Sequence, residues 1–290
     1  MIPIEKGTTY GNAWMYRVLV WLLKYINIHV LYVFMSVCVI PVTMLVSDGA
    51  RVTYLYFRKL KGCGRWRAIW YTYKNHCVFG QTVIDKFAMY AGHKFKINFV
   101  GFEDYRKLAE GDEPIIQLNA HIGCNEILGY SCHVEKPCNI LVFGGEKESL
   151  MGLRRSAFQQ MNAKMIPVGI GTTHIEDIAD ALDRGEIVCA FADRFFNAKK
   201  IITSTLHGHK ISLARGPFSL AVTRGLNVVM LSGMKESDGS YTAYFTPLSY
   251  DKTLSKSEQR QQIADAYTAE IERLLGKYPM QWFNYANSNF

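Results

Sequence analysis

Between Glu5 and Asp48 the sequence has no acidic residue, and between Asp48 and Asp85 it again has none. Residues 1–100 carry thirteen Lys and Arg against three acids, a balance of +10; residues 101–290 carry twenty against twenty-two, a balance of −2. The net charge of +8 therefore belongs wholly to the N-terminal third. Other absences narrow the field further. The seven cysteines (38, 63, 77, 124, 132, 138 and 189) form no CxxC and no framework spacing, which excludes a disulfide scaffold and reads as reduced thiols facing a cytosolic environment. There is no Ser/Gly linker and no internal repeat. The serine-hydrolase elbow G-x-S-x-G is missing, since Gly129-Tyr-Ser131-Cys-His133 breaks at its last position. Gly169-Ile-Gly171 lacks the third glycine of a dinucleotide loop. His207-Gly-His209 would present both rings on one face of a strand, but no Cys, Asp or Glu partner is near, so no metal and no cofactor is expected.

What is present is apolar. Aliphatic, aromatic and cysteine residues make up 49% of the chain, which excludes disorder and favours a large core or membrane contact. The run "YINIHVLYVFMSVCVIPVTMLV" (25–46) holds twenty-two residues without a formal charge. That is enough to cross a hydrocarbon core of about 30 Å. Trp14, Tyr16, Trp21 and Tyr25 flank it, the aromatic types that favour membrane interfaces. Arg51, Arg58, Lys59, Lys61, Arg65, Arg67 and Lys74 follow with no acid among them, each worth about 1 kcal/mol near anionic headgroups. A cleaved signal peptide fits poorly, because the apolar region is too long. A buried helix pair interrupted by His29 and Pro41 is a second reading, and a membrane anchor the third. With an anchor, the basic flank places residue 51 onward in the cytoplasm. The expected partner is a membrane, not a nucleic acid.

Residues 65–92 predict an amphipathic helix. Trp66, Ile69, Trp70, Tyr73 and Cys77 recur at three- and four-residue spacing, with Arg67 and Lys74 off that face. The bulky face either packs on the rest of the protein or lies on a membrane. From residue 94, strands and helices alternate. Strands are expected at 94–100, 114–120, 138–143, 163–170, 186–192, around 201–212, at 227–233 and at 241–248. Helices are expected at 101–111, from Glu126, at 147–162, at 173–185 with Thr173 as N-cap and Gly185 as stop, and from Ser255 or Ser257 onward. This is an α/β chain.

The chemistry concentrates at "NAHIGCNE" (119–126), where His121 follows an interior strand and precedes a helix. In one continuous helix, His121 and Glu126 would diverge by about 140°. They meet if His121 lies in the turn and Glu126 in the first helical turn. A carboxylate on one imidazole nitrogen would fix the tautomer and leave the other nitrogen as general base. Cys124 reads as a small buried apolar residue.

"NAHIGCNEI" resembles the H-x-x-x-x-D/E motif of membrane-associated acyltransferases. Its Glu variant is similar to the late acyltransferases of lipid A biosynthesis, the HtrB-type family. The hydrophobic N-terminus, the basic amphipathic helix, "ALDRGEIVCAFADRFF", "ISLARGPFSLAVTRGLNVVML" and the ending "YPMQWFNY" are similar to that family in order and spacing. Gly144-Gly145 stands where members often carry an arginine, and the end Asn284–Phe290 lacks their His/Arg-rich continuation. Both differences remove positive charge. The resemblance implies a mixed sheet flanked by helices, like the glycerolipid acyltransferases. Residues 1–50 would be a membrane anchor and 51–290 the acyltransferase domain on the cytoplasmic face of a bacterial inner membrane. It also implies acyl transfer from acyl carrier protein or acyl-CoA to a hydroxyl of a lipid or glycolipid such as a lipid A precursor. His121 would be the base and Glu126 its orienting carboxylate, with backbone amides at the start of the 122–132 helix stabilising the oxyanion. Asn119, Asp193, Arg194 and Arg215 would contact substrate, and Lys199 and Lys200 a phosphate or an acidic carrier. A thioesterase using the same pair, transfer to another acceptor, and a lipid-binding relative without activity are the alternatives.

Overall fold

Strand β2 (Ile115–Asn119) is buried at every position. The cause is its place as the middle strand of a sheet that has seven strands among the described residues, where its two polar side chains, Gln117 and Asn119, are buried and hydrogen-bonded to one another. The computed structural model describes residues 13–129, 134–143, 162–168, 173–195 and 200–285. The helix expected at 147–162, the turn at Gly169–Gly171, Lys199, and Gly129–His133 beyond its first residue lie outside them. The other strands are β1 (Ile97–Val100), β3 (Cys138–Phe143), β4 (Ala163–Val168), β5 (Ile187–Phe191), β6 (Ile201–Leu206), β7 (His209–Ala214), β8 (Asn227–Lys235) and β9 (Tyr241–Pro247). The sheet order is β1-β9-β8-β2-β5-β3-β4. Strands β8, β2, β5, β3 and β4 run parallel, while β9 pairs antiparallel with β8. The fold is therefore mixed α/β, with a parallel-dominated sheet flanked by helices.

The helices are α1 (Ala13–Leu23), α2 (Ile28–Val46), α3 (Asp48–Leu55, continued by a π-helical turn Tyr56–Leu60), α4 (Arg65–Tyr90), α5 (Phe102–Glu110), α6 (Asn125–Gly129), α7 (Thr173–Asp183), α8 (Arg215–Arg224) and α9 (Lys256–Lys277). Side chains alternate across β2, so Ile116 and Leu118 join Phe218, Ala221, Ile263, Tyr267 and Ile271 in the main core. Ile115 turns the other way, toward Tyr105 and Ala109 of α5. Each of the Ile, Leu and Phe side chains among them contributes about 1.5–3 kcal/mol on full burial. Helix α9 begins with a capping box in which Ser255 and Glu258 satisfy each other's backbone amides.

The stretch around 201–212 is not one strand. It is the hairpin β6–β7, turning at His207 (φ +50°) and Gly208, so His207 and His209 do not share a strand face.

At the N-terminus, α2 is nineteen residues long with mean hydropathy 2.2, and only 6% of that stretch is buried. A π-turn at Met35–Val39 precedes Pro41, whose missing amide cannot serve the helical ladder. Helix α2 is docked against α4. Tyr73 Oη donates to the Ser36 carbonyl at 3.2 Å. Gly80 allows the close approach, since a Cβ there would stand 2.9 Å from Met35 Cγ.

Helix α4 turns Trp66 and Trp70, near its N-terminus, outward. The buried stripe is Ala68, Thr72, Asn75, His76, Gly80, Ile84 and Asp85, while Trp66 and Trp70 are 78% and 52% exposed. Arg65, Arg67 and Lys74 stand over the rings of Trp66, Tyr71 and Trp70. The small and polar side pairs with protein, joined by Tyr71, Tyr73, Ile84 and Phe87, while Trp66, Ile69 and Trp70 face outward.

Candidate active site

Parallel pairing of β2 with β5 sets Asn119 opposite Phe191. Each chain then runs two residues further, which brings His121 against Asp193 at the carboxyl end of the sheet. The imidazole Nδ1 lies 2.7 Å from one Asp193 oxygen, and the His121 backbone N–H donates to the other at 2.7 Å. Asp193 is almost wholly buried while about a quarter of the His121 side chain is exposed, and the ring leans on Phe191 at 4.6 Å between centroids. Burial alone would raise the Asp193 carboxyl. The His121 ring, the two hydrogen bonds from His121 and the Arg194 charge outweigh it and hold the carboxyl below its usual value. A proton on Nδ1, donated to Asp193, leaves Nε2 with its lone pair.

This differs from the expected pairing of His121 with Glu126. Glu126 sits in the first turn of α6 and faces α4 instead: Lys86 Nζ is 2.7 Å from one of its oxygens and Tyr90 Oη donates to the other at 2.5 Å. The physical reason is register. Two adjacent parallel strands deliver Asp193 directly beside the ring, whereas the turn at Gly123 carries Glu126 away toward α4.

Two of the amides expected to face an oxyanion are committed elsewhere. The Gly123 N–H donates to the Gln281 carbonyl at 3.0 Å, and the Cys124 N–H to the Gly233 carbonyl at 2.6 Å. Asn125 adds a brace, donating to the Ala120 carbonyl and accepting from the Gly233 N–H.

The remaining expected residues are placed as follows. Asn119 is buried in a chain with Gln117 and Tyr105 beneath the site, and its carbonyl accepts from Tyr267 Oη at 2.8 Å. Arg194 is mostly buried and bonded to the C-terminal segment, which makes it a brace. Burial lowers its guanidinium from the ordinary value, against the opposing pull of Asp193. Arg215 is exposed at the start of α8, next to Ala214, whose N–H is bonded to the Ala192 carbonyl. Lys200 is exposed nearby. Cys124 is buried, and burial together with the Glu126 charge pushes its thiol up to about 12.

The sequence reading missed Lys86, Tyr90, Gln281 and Asn284. The "YPMQWFNY" block forms a strap across both site loops. Ile122 and Trp282 form a β-bridge, and Gln281 both donates to and accepts from the Lys235 backbone. A cavity of about 30 Å³ lies on the hairpin side of Asp193, lined by Leu60, Ile122, Leu206, Ile211, Ile271 and Trp282 among others. It has room for one or two waters and not for a lipid tail.

No family model matches the chain, and no curated protein matches it. Among solved structures, the chain is similar to the 1-acyl-sn-glycerophosphate (LPA) acyltransferase PlsC from Thermotoga maritima. The two are 14% identical, with a TM-score of 0.42, over 92% of this chain and 99% of that one.

Proposed function

We propose that the protein is a membrane-associated acyltransferase that moves a fatty acyl group from a thioester, carried by acyl carrier protein or coenzyme A, to a lipid hydroxyl. The observation that carries this reading is the His121–Asp193 pair, set at the end of parallel strands with Nδ1 clamped at 2.7 Å. Nε2 takes the proton of the acceptor hydroxyl as its oxygen attacks the thioester carbonyl, and Asp193 stabilises the imidazolium that forms. The thiolate then leaves; thiols have a pKa of about 8.5, so it departs with little acid assistance. Asp193 takes the orienting role first assigned to Glu126, and Glu126 holds α6 against α4 through Lys86 and Tyr90. Arg215 and Lys200 remain as exposed cations near the site for a phosphate or an acidic carrier.

The lipid side of the reading rests on α2, whose apolar side chains are exposed, and on α4, whose exposed Trp66 and Trp70 lie beneath Arg65 and Lys74. The lipid A family likeness in the sequence motifs makes a phosphorylated glycolipid precursor the first acceptor to try, on the cytoplasmic face of a bacterial inner membrane.

The experiment is an assay of the full chain with acyl carrier protein and coenzyme A thioesters. Each is offered a lipid A precursor, a lysophospholipid, or water alone. Acyl transfer to a lipid, abolished by His121→Ala, is the expected result. Release of free fatty acid at the same rate whether or not a lipid acceptor is present would make the protein a thioesterase.

A further inference from the structure

The His121–Asp193 pair sits in a closed circuit of hydrogen bonds that passes through the C-terminal strap. Both carboxylate oxygens of Asp193 engage His121, so the ring's orientation follows the Asp193 main chain. The Asp193 carbonyl accepts from Asn284 Nδ2 at 2.7 Å. The Oδ1 of the same amide accepts from Arg194 Nε at 3.0 Å, and Arg194 Nη2 donates to the Phe283 carbonyl at 3.1 Å. One residue back, the Phe283 N–H donates to the His121 carbonyl at 2.8 Å, which closes the circuit.

Asn284 is 4% exposed, so each of its polar atoms needs a protein partner. Its place in the circuit requires a donor and an acceptor on one short, flat group, because it donates a hydrogen bond to the Asp193 carbonyl and accepts one from Arg194 Nε. Aspartate would set an acceptor against the Asp193 carbonyl. Alanine would leave that carbonyl and the Arg194 Nε–H without these partners.

We propose that Asn284 is a positioning residue for the His121–Asp193 pair, holding the Asp193 backbone so that Nδ1 stays clamped and Nε2 stays aimed. Arg194 serves the same end by fixing the Asn284 amide. Only the rate measurement of the following test rests on the acyl-transfer reading.

The full-length protein, labelled with ¹⁵N at histidine and held in lipid nanodiscs, is examined for the far-downfield resonance of a ring proton donated to a carboxylate. The His121→Ala variant assigns that resonance. In Asn284→Ala the resonance is expected to broaden beyond detection, while kcat falls by roughly 10- to 100-fold, the cost of a misplacement near 1 Å, with KM little changed. Arg194→Lys keeps the charge but loses the fork and should move both readings in the same direction by less. A folded Asn284→Ala with wild-type resonance and kcat overturns the proposal. If Asn284→Ala does not fold, Arg194→Lys decides by the same two readings. Wild-type protein that shows the resonance but transfers no acyl group defeats the functional reading, and the resonance in the variants still decides the positioning role.

Discussion

Gly123 and Gly233 meet backbone to backbone: a Cβ on Gly123 would stand 2.1 Å from the Gly233 carbonyl oxygen. Gly123 also has φ +57°, so a side chain there is strained as well as obstructed. Gly123→Ala should cost roughly 2–4 kcal/mol of stability, measured by the urea midpoint, and should reduce turnover by displacing His121. An unchanged midpoint would mean that the two chains do not approach this closely.

Asp193 and Glu126, the carboxylate found beside His121 and the one expected there, should separate on mutation. His121→Ala and Asp193→Asn should each lower turnover by roughly 10²–10⁴-fold, and the double variant should fall little further because the pair acts as a unit. Glu126→Gln should cost less than Asp193→Asn, since Glu126 is engaged by Lys86 and Tyr90. The reverse ranking in kcat would return the orienting role to Glu126.

Cys124 should be inert. Its thiol lies near 12 through burial and the Glu126 charge, so iodoacetamide at pH 8 should leave it unmodified in the folded protein and label it in urea. Peptide mass spectrometry reads this directly. Cys124→Ala should retain most activity, and trapping of an acyl group on Cys124 would refute direct transfer.

Asp193 should contribute to acid unfolding. Its folded carboxyl lies below the ordinary value, so its contribution to stability is complete above the unfolded pKa of about 3.9. The contribution is lost as pH falls through the folded value. Urea midpoints followed below about pH 4 should fall more steeply for the wild type than for Asp193→Asn. Parallel curves would show that the clamp adds nothing.

Asp85 and Lys235 form a buried ion pair, with Tyr241 and Tyr32 also donating to the Asp85 carboxylate. Lys235→Met alone should destabilise by roughly 3–5 kcal/mol, because it strands a buried charge. Combined with Asp85→Leu, much of that loss should return, as read by thermal unfolding. A harmless single variant would show that water reaches Asp85.

The strand-and-helix alternation was legible because it is local. The runs at 115–119, 138–143 and 187–191 are mostly apolar and sharply bounded, and Ser255 with Glu258 marks the last helix in four residues of sequence. His121 was legible for the same reason, standing at the end of a buried strand. Its partner was not, because Asp193 lies 72 residues away and reaches the ring only through the register of β2 and β5. The outward face of α4 was half legible: the spacing showed a bulky stripe, but only packing shows that Ala68, Thr72, Asn75 and His76 take the inner side. The strap could have been suspected from Gln281 and Asn284 set among aromatics, a pattern in which buried amides must find partners.

The Asp85 cluster also has a consequence in time. Asp85 on α4 and Tyr32 on α2 are made early, and Lys235 follows Asp85 by 150 residues. At ordinary synthesis rates that gap lasts on the order of ten seconds. Through that interval the apolar helices are already outside the ribosome with an uncompensated carboxylate between them. They can settle only when β8 and β9 arrive to neutralise it. The closing of α2, α4, β8 and β9 around this one carboxylate is thus expected as a single late event in the birth of the molecule.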